Sequence, residues 1–163
     1  MPDELLTPKE KNVTEKGALY LVGTPIGNMA DITERAVKVL GDADFVAAED
    51  TRNSGLMLSR LGLRRPLVPY HEHNKVTKGP EIVERLRAGE TCALVTDAGM
   101  PAISDPGEDL VRLCAEAGIT VTAIPGPCAA ITALSISGLP TGRFCFERFY
   151  EMMSDDFDPE ADK

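Results

Sequence analysis

No stretch of this chain is apolar for long enough to span a bilayer, and its opening residues, MPDELLTPKEKNVTEKG, lack the apolar centre of a secretory leader. Both absences point to a cytoplasmic protein. The four cysteines, Cys92, Cys114, Cys128 and Cys145, form no CxxC pair. That argues against a zinc knuckle or disulfide frame and for buried, reduced thiols. Histidine occurs only at His71 and His73. No GxGxxG follows the first strand-like run, and neither GxxxxGKS nor GxxxxGKT occurs. The usual dinucleotide and P-loop phosphate cradles are therefore unsupported. What the chain does have is length and apolar content: 163 residues, 43% of them hydrophobic, suffice for one globular domain with its own core.

Net charge is −9, which argues against a polyanionic partner until its distribution is considered. The last thirteen residues, EMMSDDFDPEADK, carry six acids and one Lys. Between Arg52 and Arg87, by contrast, eight basic residues face three acids. This basic segment reads either as a solvated face or as one that contacts a nucleic acid. The acidic end reads as a disordered tail.

Short apolar runs alternate with amphipathic segments. ALYLVG (18–23), DFVAAE (44–49), PLVPY (66–70), TCALVT (91–96) and ITVTAIPG (119–126) read as strands. Between them DITERAVKVLG predicts a helix capped by Asp31 and stopped by Gly41, and SGLMLSRLG predicts another. GPEIVERLRAGE predicts one that starts at Pro80 and ends at Gly89. SDPGEDLVRLCAEAG predicts a helix opened by Ser104, Asp105 and Pro106, with Asp105 as its cap, and PCAAITALSISG a small-residue helix. The order strand, loop, helix predicts an α/β domain with a mostly parallel sheet flanked by helices.

Ligands in such sheets gather where strands end and loops begin. Five loops share that place: TPIGN (24–28), EDTRN (49–53), YHEHN (70–74), TDAGMPAISDPG (96–107) and IPGPCAA (124–130). Glycines at 23, 27, 99 and 126 allow close backbone approach, and Pro25, Pro101, Pro106, Pro125 and Pro127 stiffen the loops around it. In EDTRN, Glu49, Asp50 and Arg52 form either a structural ion-pair cluster or a site that positions a phosphate or hydroxyl. His71 and His73 share a face if YHEHN is extended, as a metal pair or as a base with a neighbour. No third metal ligand is evident, so a substrate-facing loop without metal is the reading preferred.

The segments ALYLVGTPIGNMADITERA, VAAEDTRNSGLML, YHEHN, LVTDAGMPAISDPG and IPGPCAAITALSISGLPTGRFCFE together resemble the ribosomal RNA small-subunit methyltransferase I family of the tetrapyrrole methylase superfamily. The resemblance spans about residues 17–147. It implies the N-terminal domain of that fold, with S-adenosylmethionine as cofactor and the ribose 2′-hydroxyl of a cytidine in 16S ribosomal RNA as methyl acceptor. It implies cofactor contacts at Asp97, Ala98, Gly99, Met100, Pro101, Ile103, Ser104, Cys128 and Ala129. Asn28, Glu49, Asp50, Arg52, His71, His73 and Asn74 would face the RNA, with Glu49, Asp50, His71 and His73 as candidate proton acceptors. It also implies the 16S RNA or the small ribosomal subunit as partner, and a homodimer.

Two departures qualify the likeness. Cys128 stands where the family pattern has Ser, and a thiol is the weaker hydrogen-bonding group. Family members continue through a Gly-Phe-Leu-Pro linker into a second domain, whereas this chain reads ERFYEMMSDDFDPEADK. The expected organisation is a flexible extension over 1–16, the α/β domain over 17–147 and the acidic tail over 148–163, without the second domain. An active or weakened methyltransferase is then one expectation. The others are a catalytically silent α/β remnant or RNA-binding module, and a small-molecule methylase of the same fold.

Overall fold

The computed structural model describes residues 13–146. Residues 1–12 of the expected extension and the whole expected tail lie outside that range. Residues 14 and 15 are tied to the domain: Thr14 Oγ1 donates to Asp42 Oδ2 at 2.8 Å, and Glu15 N–H donates to the Tyr20 hydroxyl at 2.8 Å.

The five expected strands form one sheet: β1 (Leu19–Val22), β2 (Phe45–Ala48), β3 (Leu67–Pro69), β4 (Cys92–Val95) and β5 (Val121–Ile124). Their order is β3-β2-β4-β1-β5 and every pairing is parallel. The α/β expectation holds. The three central strands are buried on both faces, which is why their sequences run apolar without a polar alternation. Side chains still alternate between faces. Tyr20, Val22, Val46, Ala48, Ala93 and Val95 join one cluster, while Leu19, Leu21, Phe45, Ala47, Cys92 and Leu94 join the other.

Helices α1 (Glu34–Asp42) and α2 (Thr51–Arg60) cover the first face through Ala36, Val39, Leu40 and Leu58. Helices α3 (Lys75–Arg87) and α4 (Glu108–Glu116) cover the second through Ile82, Val83, Leu86, Leu110 and Cys114. Each fully buried Leu or Phe among these contributes about 1.5–3 kcal/mol relative to exposure. Since β4 leads to α4 on one face while its neighbours β1 and β2 lead to helices on the other, their loops part above the sheet. That separation opens a crevice at the carboxyl ends of these strands. Helix α5 (Ala129–Ile136) follows β5, and none of its residues is buried. Among the described residues no helix is long and apolar enough to cross a membrane.

Helix starts depart from the sequence reading, and each departure has a local cause. Residues Met29–Asp31 form a 3-10 turn capped by Asn28, so α1 begins later and Thr33, not Asp31, caps it through a bond from Ala36 N–H. Gly41 lies inside the last turn, and the chain leaves the helix at Ala43. Asp50 caps α2, which starts before Ser54. Helix α3 starts at Lys75 because a turn over 71–74 already aligns the backbone, and Pro80 sits inside it. The N–H that Pro80 lacks would have met the carbonyl of Val76, a residue exposed to water. Asp105 does not cap α4. Ala102 and Ser104 adopt left-handed backbone (φ 68° and 61°), and the coil continues to Gly107, the N-cap, at φ 144°.

The cysteines also divide. Cys92 and Cys114 are buried, Cys128 is half-buried and Cys145 exposed, so the expectation of four buried thiols holds for two. Burial pushes the Cys92 thiol up to about 12 and that of Cys114 to about 11, which leaves little thiolate at neutral pH. Titration of the native protein with a thiol-specific chromophore is expected to modify Cys128 and Cys145 and to spare Cys92 and Cys114 until denaturant is added. Rapid reaction of all four would mean the core around β4 is open.

Candidate functional site

The loops after β1, β4 and β5 meet through their main chains. Thr24 N–H donates to the Gly99 carbonyl at 2.9 Å and Gly99 N–H returns a bond to the Thr24 carbonyl at 3.1 Å. This antiparallel bridge stands beyond the parallel ladder. The buried Thr24 hydroxyl donates to the Thr96 carbonyl at 3.1 Å, tying the same two loops at a third point. The loop after β5 closes in from the other side. A Cβ built on Gly23 would lie 2.7 Å from Gly126 Cα and 2.7 Å from Met100 Sδ. Only glycine at both 23 and 126 lets these backbones touch. Gly99, at φ 85°, faces the Pro127 carbonyl and the Ile26 side chain across a gap that a Cβ would bring to 3.5 and 3.6 Å.

The loop after β2 joins this group through side chains. Thr96 Oγ1 donates to Glu49 Oε2 at 3.2 Å, and Asn53 Nδ2 donates to Asp97 Oδ2 at 3.1 Å. Partial burial raises the Glu49 carboxyl above its ordinary value. The Thr96 bond opposes that, while the charges of Asp105 and Asp97 add to it and His71 lowers it. Asp50 goes the other way. Its side chain caps α2 and accepts two bonds from the Arg52 guanidinium, at 3.1 and 2.6 Å, which hold its carboxyl at about 2.

The third loop contributes His71, whose ring meets that of His73 edge to face at 6.0 Å. His71 Nδ1 is buried and has no hydrogen-bond partner among the described residues. An orphaned polar atom of this kind is stabilised by whatever donor or acceptor a ligand brings. Asn74 is occupied locally: its Oδ1 accepts from His71 N–H at 2.9 Å and its Nδ2 donates to the Pro69 carbonyl at 3.0 Å. Asn28 is similarly engaged, accepting from Ala30 N–H. Among the described residues no cluster of His, Cys, Asp and Glu is placed to hold a metal ion.

The structure therefore gathers Glu49, His71, Asp97, Gly99 and Met100 at one crevice. Asp97, Ala98, Ile103 and Ser104 are exposed along it, with Pro101 buried beneath. Cys128 and Ala129 lie at the start of α5, where Cys128 makes no side-chain capping bond. A cavity of about 480 Å³ opens beside the loop that leads from β4 to α4. This cavity borders Ile103, Ser104, Asp105, Lys75, Arg112 and Phe146, but neither Thr24 nor Asp97 to Pro101. Thr24, Asn53 and Thr96 escaped the sequence reading. A threonine closing a fully apolar strand is the available signal, because its buried hydroxyl must find an acceptor.

The close backbone approach gives a direct test. Gly23→Ala is expected to cost about 1–3 kcal/mol in denaturant unfolding, because the new methyl meets backbone that cannot rotate away. Unchanged stability would mean that the loops after β1 and β5 are not in contact.

A family model for tetrapyrrole (corrin/porphyrin) methylases matches residues 18–155. Ribosomal RNA small subunit methyltransferase I of Escherichia coli O157:H7 is 55% identical over 134 residues, covering 82% of this chain and 47% of that protein. The protein of the same name from Halalkalibacterium halodurans is 54% identical over 135 residues, covering 83% and 47%. This chain spans about half the length of the curated relatives it matches. Among solved structures, uroporphyrin-III-C-methyltransferase from Thermus thermophilus superposes with a TM-score of 0.58 at 29% identity, over 76% of this chain and 53% of that one. The likeness read from five sequence segments is thus matched by whole-domain similarity, and the chain belongs to the tetrapyrrole methylase family.

Proposed function

We propose that the chain acts in S-adenosylmethionine-dependent methylation of the ribose 2′-hydroxyl of a cytidine in 16S ribosomal RNA, on the small ribosomal subunit in the cytoplasm. Relatives at 50–55% identity carry the name of a small-subunit ribosomal RNA methyltransferase, which supports the RNA as substrate. The observation that carries the reading is the joining of three loop backbones at Thr24–Gly99 and Gly23–Gly126 beside an anchored Glu49.

The residues present fit the cofactor. Gly99 has no Cβ, adopts a left-handed backbone and faces Ile26 and the Pro127 carbonyl, so main-chain groups line a cradle that a side chain would fill. Asp97, Ala98, Gly99, Met100 and Pro101 would form its floor, with Ile103, Ser104, Cys128 and Ala129 at its edges. When bound, the sulfonium cofactor supplies the methyl group. The chain's own part is to align the acceptor and take its proton, since a ribose hydroxyl is a weak nucleophile.

Glu49 is the group suited to that task. Thr96 fixes one carboxylate oxygen, and partial burial makes the other a stronger base than an ordinary glutamate. Asp50, held low by Arg52 and committed to the α2 cap, is a poor proton acceptor at neutral pH. His71 Nδ1, lacking a partner among the described residues, would orient the hydroxyl or its phosphate neighbour.

Methyl incorporation from radiolabelled S-adenosylmethionine into small-subunit RNA tests this reading. Glu49→Gln is expected to lower the rate about 10²- to 10⁴-fold with cofactor affinity retained. The ionised carboxylate is the active form, so wild-type activity is lost as pH falls through a value above the ordinary glutamate figure of about 4.3. A Glu49→Gln rate equal to wild type removes Glu49 from the chemistry.

A further inference from the structure

The structure divides the basic segment in two. Of its eight Lys and Arg residues, five have carboxylate partners: Arg52 with Asp50, Lys75 with Glu72, Lys78 with Glu81, Arg85 with Glu90 and Arg87 with Glu84. The other three are Arg60, Arg64 and Arg65. None of them makes an ion pair or a side-chain hydrogen bond among the described residues, and all are exposed. No Asp or Glu occurs between Thr51 and His71. Asp42, already bonded to Lys38 and Thr14, feels the charge of Arg65, and Asp44 borders the same cavity as these two, its carboxylate accepting from Thr91 N–H.

These three arginines sit on a fixed platform. Arg60 is the last residue of α2, and the turn that follows is closed by bonds from Leu61 N–H to Met57, Gly62 N–H to Ser59 and Leu63 N–H to Leu58. Gly62 takes the left-handed conformation this ending needs, at φ 71°. Leu61 and Leu63 pack into the core cluster beneath α1 and α2. The inward leucines anchor the turn and the outward arginines alternate with them. Little backbone entropy remains to be lost when the guanidinium groups engage a ligand.

We propose that Arg60, Arg64 and Arg65 form an RNA phosphate-contacting edge, separate from the crevice. Helix α2 starts at the crevice, where Asn53 holds Asp97, and Arg60 lies nine residues beyond the first residue of the helix, about 14 Å along the axis. That distance is a few nucleotides of RNA backbone, so a strand with one ribose in the crevice reaches the edge with its flanking phosphates. Guanidinium forks match phosphate oxygens. In a chain of net charge −9, a segment stripped of acids and of internal ion pairs is a localised exception with a fixed geometry. The inference rests on the RNA reading above and names a contact surface for it.

Fluorescence anisotropy with a labelled single-stranded RNA of about 20 nucleotides, titrated between about 50 and 200 mM salt, tests it. The triple variant Arg60→Ala, Arg64→Ala, Arg65→Ala is expected to bind at least about tenfold more weakly at low salt. Its slope of log affinity against log salt should be smaller by about 2, at about 0.7 for each phosphate that an arginine no longer neutralises. A triple Lys variant is expected to keep most of that slope, and S-adenosylhomocysteine affinity and melting temperature should be unchanged in both. If wild type binds RNA and the Ala variant matches its affinity and slope, this inference alone fails. If wild type binds no RNA at any salt, the RNA reading fails with it. Poly-glutamate that binds the edge as tightly as RNA does would identify an acidic-protein seat and overturn the inference.

Discussion

The paired hydrogen bonds between Thr24 and Gly99 are the constraint on which the crevice depends. β1 and β4 are neighbours in the sheet, and their loops lead to helices on opposite faces. Left alone, the loops would diverge. The two-bond bridge clips them together one residue beyond a close-packed glycine, and the Thr24 hydroxyl adds a third tie to Thr96. Thr96 in turn holds Glu49, and the next residue, Asp97, is held by Asn53. A single chain of contacts therefore fixes four of the strand-end segments: those after β1, β4 and β2 directly, and that after β5 through Gly23 and Gly126.

Electrostatics follow from this placement. Glu49 and Asp50 are adjacent in sequence, yet their carboxyl groups are shifted in opposite directions. Asp50 lies at the helix start, where backbone N–H groups and Arg52 favour its charge. Glu49 turns toward the crevice, where burial and the charges of Asp105 and Asp97 disfavour it. Two like residues acquire different chemistry because one closes a helix and the other ends a strand.

The sheet was legible because its three central strands are buried on both faces and so read as uninterrupted apolar runs. Helix starts were less so. Asp31, Pro80 and Asp105 each carry a strong start signal, but a preceding 3-10 turn, a preformed turn at 71–74 and two left-handed residues moved the true starts to other residues. The importance of glycines 23, 99 and 126 could be anticipated from residue type. Which backbones they bring together could not, since the contact joins residues about a hundred positions apart. The candidate carboxylates were visible as a group, and choosing among them required the Thr96 and Arg52 bonds. The proposed cofactor contacts came from family resemblance and not from spacing.

The basic segment shows the same limit from another side. Its charge count was plain in the sequence, but the pairing of five members with carboxylates was set by three-residue spacing in and just before α3, by the turn that brings Glu90 back to Arg85 and by the Asp50 cap. Only the fold distinguishes the arginines that are spent on intramolecular partners from those that remain available.

The central claim is that the loops after β1, β4 and β5 act as one cofactor cradle. Amide chemical-shift mapping during titration with S-adenosylhomocysteine tests it most directly. The account predicts saturable shifts at Thr24, at Asp97 to Met100 and at Gly126 to Ala129 that share one binding constant. Shifts confined to the cavity bordered by Lys75 and Arg112, or none at all in a folded sample, would contradict it.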